Sequence, residues 1–331
     1  MRRSLLLATL ITAFLSVPLR AQTRWYKFNK AFIEQHYSSD GAAIGALRVS
    51  EIHPAKNVHS ISCGGNDGEL HIGIPASALR GPVAQGESRG NSELLGMVAE
   101  PPNVQRSSPF FQAVEHADGT AAQFYGYFRL WNEGHDVGPV YPSNPHHVLE
   151  LHPIWGVRSA GFSYKPDARV ILPMQQYSGY GASKFVPVLL NVSHWLRVAD
   201  GGAFVYVQLI RADNFYQLPV VIKQIRPVAN GKGIAALVDV FSDTGHQHLV
   251  YSNLTVVTAT NSRIASVLRP NWATYLLGFF SVNLKRTIEI AAGHNGLAGA
   301  VSAPGALEFF AFGVPAQHAV SASSPCTEED D

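Results

Sequence analysis

The sequence predicts a mainly β chain, with an OB-like small barrel followed by a second β-rich domain that carries one packing helix. Three observations lead to this fold class. Residues 45–160 contain five short runs in which apolar and polar side chains alternate, the period of a half-buried strand. The second half has further runs of this kind between Gly-rich turns. Residues 272–284 instead show apolar side chains at helical spacing.

The two ends of the chain have the composition of segments outside the folded part. Arg2 and Arg3 precede an apolar run that ends near Ala21, which is typical of an export signal and too short for a membrane-spanning helix. The 331 residues suit two compact domains. The predicted organisation is a signal peptide at 1–21, an N-terminal helix or arm at 22–44, the OB-like β-barrel at 45–160, a second β-domain at 161–316 and a disordered acidic tail at 317–331.

The predicted barrel consists of five strands, at 46–53, 69–74, 94–100, 121–131 and 147–157. The second of these shows the clearest alternation: Leu70, Ile72 and Ile74 face a core, while Glu69 and His71 face away from it. Short strands joined by long loops favour a small OB-type barrel over a sandwich.

The second domain is predicted from turn signals and one change of period. The Gly-rich sequences at 200–202 and 230–233 mark hairpin turns between apolar strands. After them, an aromatic and aliphatic stripe recurs at the spacing of one helix face, and it comprises Trp272, Tyr275, Leu276, Phe279, Phe280 and Leu284. This stripe predicts the packing helix.

Charge and cysteine content limit the function classes. Removal of residues 1–21 lowers the 25 basic side chains to 22, against 24 acidic ones. Such a near-neutral chain lacks the electrostatic surface for non-specific binding to nucleic acid or anionic lipid. Two cysteines, Cys63 and Cys326, leave a disulfide open in an oxidising compartment. The expected location is secreted or periplasmic.

Two strands each place a carboxylate and an imidazole two residues apart, so that both side chains share one face. These pairs are Glu69 with His71 and Glu150 with His152. If the strands lie close together, Glu100 and His135 complete a set suited to zinc or manganese, although no cofactor is required by the sequence. Two alternatives remain open: the pairs hold loop ends through backbone groups or an arginine, or they contact a ligand without metal. The adjacent His146-His147 is interpreted mainly as a loop feature.

A second candidate surface is aromatic. Tyr125, Tyr127, Arg129 and Trp131 alternate along one face of the fourth predicted strand. Stacking rings with an interleaved arginine on an OB face could bind sugar rings or single-stranded nucleic acid, and the neutral charge disfavours nucleic acid. Burial of this face against the second domain is the competing interpretation.

The residues 45–160 resemble a module of uncharacterised secreted bacterial proteins. Its signatures here are Asp67-Gly-Glu-Leu-His71, Met97-Val-Ala-Glu100, Trp131-Asn-Glu-Gly-His135 and Glu150-Leu-His-Pro-Ile154. The sequence departs from the pattern at Glu69, where Asp is commoner, and at Asn132, where Asp is more usual. The resemblance implies an OB-like barrel and brings no known activity.

The sequence therefore predicts an exported protein that acts as a binding or interaction module and not as an enzyme. Its partner would be a carbohydrate or another protein. The main alternative is a metal-dependent hydrolase, acting on phosphodiesters or similar bonds, with its site on the acid/His face. A third hypothesis is a scaffold role in an envelope assembly.

Overall fold

The computed structural model describes residues 24–37, 43–57, 69–80, 83–88, 91–101, 109–159, 162–164, 181–191, 193–199, 204–209, 215–228, 231–243, 245–260, 262–292, 299–302 and 306–313. In these residues the chain is mainly β, as the sequence predicts, and its strands form two sheets and a closed five-stranded barrel. The predicted signal peptide, the predicted acidic tail and both cysteines lie outside the described residues.

The strands of the first half are β1 (Trp25–Asn29), β2 (Ile44–Val49), β3 (His53–Pro54), β4 (Ile72–Ile74), β5 (Ala84–Ser88), β6 (Asn91–Leu95), β7 (Met97–Ala99), β8 (Ala122–Leu130), β9 (Leu149–Ser159) and β10 (Phe162–Tyr164). Those of the second half are β11 (Ser193–Ala199), β12 (Phe204–Gln208), β13 (Phe215–Pro227), β14 (Gly233–Phe241), β15 (Leu249–Ala259), β16 (Ala273–Val282), β17 (Gly299–Ser302) and β18 (Leu307–Gly313). The helices are α1 (Lys30–His36), α2 (Pro109–Glu115), α3 (Ala182–Asn191), α4 (Arg263–Val267) and α5 (Leu284–Ala292).

The six-stranded sheet joins the two halves of the chain. Its order is β17-β11-β12-β1-β5-β6, and every neighbouring pair is antiparallel. The strands β1, β5 and β6 come from the first half and the other three from the second. The predicted boundary near residue 161 therefore does not separate the sheets. The predicted N-terminal arm supplies β1 and then α1, which begins where the Asn29 side chain accepts a hydrogen bond from the Ala31 amide at 2.9 Å.

The seven-stranded sheet contains the two acid/His strands. Its order is β2-β8-β9-β7-β4-β3, with β10 beside β9. The pairing of β7 with β9 is parallel and the other pairings are antiparallel. This arrangement sets the three strands β4, β7 and β9 side by side.

The closed barrel lies in the second half of the chain, and the predicted position of the barrel at 45–160 is wrong. The barrel runs β13-β14-β15-β18-β16, with β15 and β18 parallel. In the described part of residues 45–160, β5 and β6 belong to the six-stranded sheet and the other strands to the seven-stranded sheet. The alternation of apolar and polar side chains predicts that a segment is a strand and which side chains share each of its faces. It does not predict the neighbouring strands, because these depend on burial between segments far apart in the sequence.

The predicted packing helix at 272–284 is a strand, β16. The described residues contain five helices, whereas the sequence predicts this packing helix and an N-terminal helix or arm at 22–44. Almost every side chain of β16 is buried, because one of its faces lines the barrel and the other packs against the seven-stranded sheet. A strand buried on both faces has no period of two, so its apolar residues matched a helical spacing by coincidence. At Gly278, an added Cβ would lie 2.0 Å from the Phe310 carbonyl oxygen, so glycine permits the close approach of β18.

Aromatic side chains join the seven-stranded sheet to the outside of the barrel. The Tyr127 ring lies 4.6 Å from that of Phe310, and Trp131 stacks on Phe280 at 5.9 Å. Such ring pairs add to the burial of their apolar area and fix the relative position of the two layers. Within the described residues, no helix has the length and apolar content needed to cross a membrane.

Candidate metal centre

The acid/His side chains converge where β4, β7 and β9 meet. Glu69 lies just before β4, Glu100 directly follows β7, and Glu150 and His152 lie on β9. The parallel pairing sets Val98 opposite Glu150, and it continues as the Glu100 amide donates to the Leu151 carbonyl at 3.0 Å. The backbone register therefore brings Glu100 to the same level of the sheet as Glu150 and His152.

His152 lies at the centre of three carboxylates. Its Nε2 is 3.0 Å from Glu69 Oε1, and its Nδ1 is 2.5 Å from Glu100 Oε2 and 3.7 Å from Glu150 Oε2. The imidazole is covered by barrel rings, with Phe279 at 4.7 Å and Phe215 at 6.0 Å between ring centres. The exposed fraction of each of these four polar residues is 5% or less, so water screens their charges only weakly.

His147 joins the cluster from the loop before β9. Its Nδ1 lies 2.7 Å from the Pro145 carbonyl oxygen, so in the neutral ring Nδ1 carries the hydrogen and Nε2 is an acceptor. That Nε2 is buried, has no hydrogen-bond partner among the described residues, and lies 3.4 Å from Glu150 Oε1. Two electron-pair donors thus face one another inside the protein, which is the local arrangement of metal ligands.

The ligand atoms fall into two groups of three that share one residue. The first group is Glu69, Glu100 and His152, and the second is Glu100, His147 and Glu150. In each group the three ligand atoms all lie within 4.8 Å of one another. Imidazole nitrogen with carboxylate oxygen is a donor set that zinc and manganese accept, and every one of these residues is held by a strand or by its flanking loop.

A buried arginine limits the negative charge of the cluster. Arg129 on β8 has no exposed surface; its Nη1 donates to Glu150 Oε2 at 3.0 Å and to Glu133 Oε1. Its guanidinium also lies 4.6 Å from the centre of the Phe279 ring, a cation–π contact. Arg129 thus pairs with two of the four carboxylates in and beside the cluster, Glu133 and Glu150, and leaves Glu69 and Glu100 to the histidines.

Two histidines occupy the rim of the cluster. His71 Nε2 lies 3.5 Å from Glu100 Oε1, and the exposed fraction of its side chain is 19%. His135 is 40% exposed, lies 3.8 Å from Glu133 Oε2, and stacks on His147 with 5.2 Å between ring centres. These are the two points at which the described cluster reaches solvent.

The cluster shifts the pKa values of its members. Burial raises the pKa of Glu100 and so does the nearby Glu150, but the charges of His152 and His71 outweigh both and lower it to about 2. Burial likewise opposes ionisation of Glu150, and the Arg129 charge nevertheless holds its pKa well below the usual range. For His152, burial lowers the pKa. The charges of Glu69 and Glu100 raise it by more, so that the pKa lies well above the ordinary value. The hydrogen bond with Glu133 raises the pKa of His135 to about 9.

All six residues predicted as metal ligands lie in or beside this cluster: Glu69, His71, Glu100, His135, Glu150 and His152. Sequence reasoning missed three others. His147 was interpreted as a loop residue, Arg129 was assigned to the aromatic row, and Glu133 was seen only as part of a loop signature. The adjacent His146-His147, five residues before His152, was the available signal for His147.

The predicted aromatic surface is packed inside the protein. Tyr127, Arg129 and Trp131 are buried against the barrel, and Tyr125 is half-buried. The Tyr127 hydroxyl donates to Glu308 Oε2 at 3.0 Å, and Arg129 Nε donates to the Phe280 carbonyl at 3.2 Å. This row therefore joins the sheet to the barrel and does not offer an open face for a sugar or a nucleic acid.

Comparison with known proteins adds no family to this description. Neither the protein-family models nor the curated proteins give a match to the chain. The resemblance to a module of secreted bacterial proteins stays a prediction, and the function must be argued from the cluster itself.

Proposed function

We propose that this chain is an exported binding protein whose ligand is a divalent transition-metal ion, zinc or manganese, held by Glu69, Glu100, Glu150, His147 and His152. The observation that carries the proposal is the buried His147 Nε2, which has no hydrogen-bond partner among the described residues and lies 3.4 Å from Glu150 Oε1. Because Nδ1 lies 2.7 Å from the Pro145 carbonyl oxygen, Nε2 of the neutral ring presents its lone pair toward that carboxylate.

The charge of the cluster supports the same proposal. Four carboxylates and one guanidinium leave an excess of negative charge in a site shielded from water. Burying an uncompensated charge costs several kcal/mol, so the site favours a further cation. A proton on His152 supplies part of that charge, and a metal ion that displaces the proton supplies more.

The bonds around the ligands support metal binding as well. Metal-binding histidines usually have their second ring nitrogen fixed by a carbonyl or a carboxylate, which orients the first. The Pro145 carbonyl does this for His147. For Glu150, Arg129 occupies Oε2 and leaves Oε1 beside His147 Nε2.

Metal analysis tests the proposal directly. The mature chain is stripped with a chelator, incubated with Zn²⁺ or Mn²⁺, desalted, and measured by mass spectrometry of the elements. We expect at least one bound equivalent, with a lower metal content in His147→Ala and an unchanged content in His146→Ala. His146 is the matched control because its ring contacts Glu93 and the Gly138 carbonyl, outside the cluster. A wild-type protein that retains no metal contradicts the proposal.

Export is part of the proposal and rests on the N-terminal sequence. Arg2 and Arg3, the apolar run and the small residue Ala21 have the order of a cleaved signal. Expression of the full chain in a bacterial host, followed by sequencing of the mature N-terminus, tests it. We expect cleavage after Ala21, with the protein in the periplasm or the medium.

A metal-dependent hydrolase is the second candidate, and the rim histidines favour it. His71 and His135 are partly exposed and stand next to buried ligands, so they mark a route from solvent to the metal. A metal-bound hydroxide is a nucleophile for phosphodiester cleavage. Turnover of bis(p-nitrophenyl) phosphate by the metal-loaded protein, absent in His147→Ala, would support this candidate; a loaded protein without turnover leaves metal binding alone.

A further inference from the structure

We infer that the centre holds two divalent ions, with Glu100 as the carboxylate that bridges them. This inference rests on the proposed metal-binding function and adds its stoichiometry and its division of ligands. One ion lies on the side of Glu69 and His152, and the other on the side of Glu150 and His147.

The position of Glu100 is the first argument. It belongs to both groups of ligand atoms that are compact enough for an ion, the group of Glu69 and His152 and the group of His147 and Glu150. A carboxylate shared by two ligand groups is the geometry of a bridge between paired ions about 3.5–4 Å apart.

The ligands divide evenly between the two sides of Glu100. On one side stand the Glu69 carboxylate and the His152 imidazole, with His71 at the rim. On the other side stand Glu150 and His147. Each ion thus receives one imidazole, one carboxylate of its own and one oxygen of Glu100, and solvent oxygen completes the coordination.

Arg129 is compatible with the second ion. Of the two Glu150 oxygens, its Nη1 donates to Oε2, so Oε1 remains for the ion beside His147 Nε2. The guanidinium contacts the cluster through Glu133 and Glu150, whereas its carbon atom is held over the Phe279 ring. Arg129 therefore lies behind Glu150 and outside the pair of ligand groups.

The experiment counts ions in the whole mature protein. Metal content is measured by mass spectrometry of the elements, with the protein concentration taken from amino-acid analysis, after loading with Mn²⁺. We expect two equivalents and the exchange-coupled, multiline electron paramagnetic resonance spectrum of paired Mn²⁺ ions. A single equivalent, or two equivalents without coupling, overturns the inference; a single equivalent leaves the proposed function standing, whereas zero equivalents overturns both.

Two variants assign the ligands. Glu69→Gln is expected to lower the content from two equivalents to one and to abolish the coupled spectrum, because it removes one ion's own carboxylate. Glu93→Gln is the matched control, since Glu93 pairs with Arg24 and His146 outside the cluster, and it should keep two coupled ions. Circular dichroism checks that both variants fold. If Glu69→Gln does not fold, the wild-type count and spectrum still decide the question.

Discussion

Arg129 on β8 donates a hydrogen bond from Nε to the carbonyl of Phe280 on β16, at 3.2 Å, while its Nη1 donates to Glu150 within the candidate metal centre. One side chain therefore joins three parts of the molecule: the seven-stranded sheet, the closed barrel and the acid/His cluster. Because Leu130 beside it donates to the Ser281 hydroxyl at 3.0 Å, the contact continues along the strand. The cluster is built into the interface between sheet and barrel, so we expect the proposed metal binding to be linked to stability.

Arg129→Met should destabilise the protein strongly. The substitution leaves Glu133 and Glu150 buried without their cation, which typically costs about 3–5 kcal/mol. Urea unfolding measures the free energy. Arg286→Met is the control, because Arg286 is exposed and its only ion pair among the described residues is a 4.0 Å contact with Glu289; it should change the free energy of unfolding by less than about 0.5 kcal/mol. Equal effects of the two variants would contradict the role given to Arg129.

Bound metal should stabilise the folded protein, and its removal should lower the Tm. At a free ion concentration of about 100 times the dissociation constant, binding adds about 2.7 kcal/mol, which raises Tm by about 5 °C or more. Differential scanning calorimetry with Zn²⁺ and with chelator measures this. His147→Ala should show a smaller shift, whereas His146→Ala should shift as the wild type does. If Zn²⁺ does not change the Tm of the wild-type protein, the result contradicts the proposed metal centre.

The loss of folding stability at acid pH should depend on His36. Its ring packs between Phe32 and Phe128, each at 4.5 Å, and burial lowers its pKa to about 4. Since the unfolded chain binds this proton near pH 6.5 and the folded one near pH 4, stability is complete above pH 6.5 and falls as the pH drops through that window.

The substitution His36→Leu should reduce the decrease in the free energy of unfolding at acid pH. Because the imidazole is partly exposed, we expect the difference between pH 7.5 and pH 5 to shrink by roughly 1 kcal/mol. Urea unfolding at the two pH values gives the comparison. An unchanged pH slope in the variant would show that His36 is not the group responsible.

Gly278→Ala tests the strand that replaced the predicted helix. An alanine Cβ would lie 2.0 Å from the Phe310 carbonyl oxygen, so β16 and β18 must separate, and we expect a loss of about 3 kcal/mol or failure to fold. Gly181→Ala is the control, since its Cβ would meet no atom within 4 Å. If residues 272–284 formed a helix, the Gly278 change would instead stabilise the protein by up to about 1 kcal/mol.

Sequence reasoning predicted the candidate site better than the architecture around it. The i, i+2 spacing of Glu150 with His152 places this pair on one face of β9, whereas Glu69 and His71 lie just before β4 and not on the predicted strand. Their convergence needed only that β4, β7 and β9 be neighbours, which they are. His147 could not be assigned in the same way, because it lies in a loop, and loop side chains have no period that predicts their direction.

The alternation of side chains by itself determined that this chain is mainly β and which ionisable groups share a strand face, because both follow from the local pleat. Tertiary structure alone decided that β5 and β6 join β1, that the barrel closes at 215–313, and that Arg129 is buried under Phe279. The reason is that strand edges are chemically alike. Which edges pair is determined by how much apolar surface the whole chain buries, and that quantity is not contained in any local pattern.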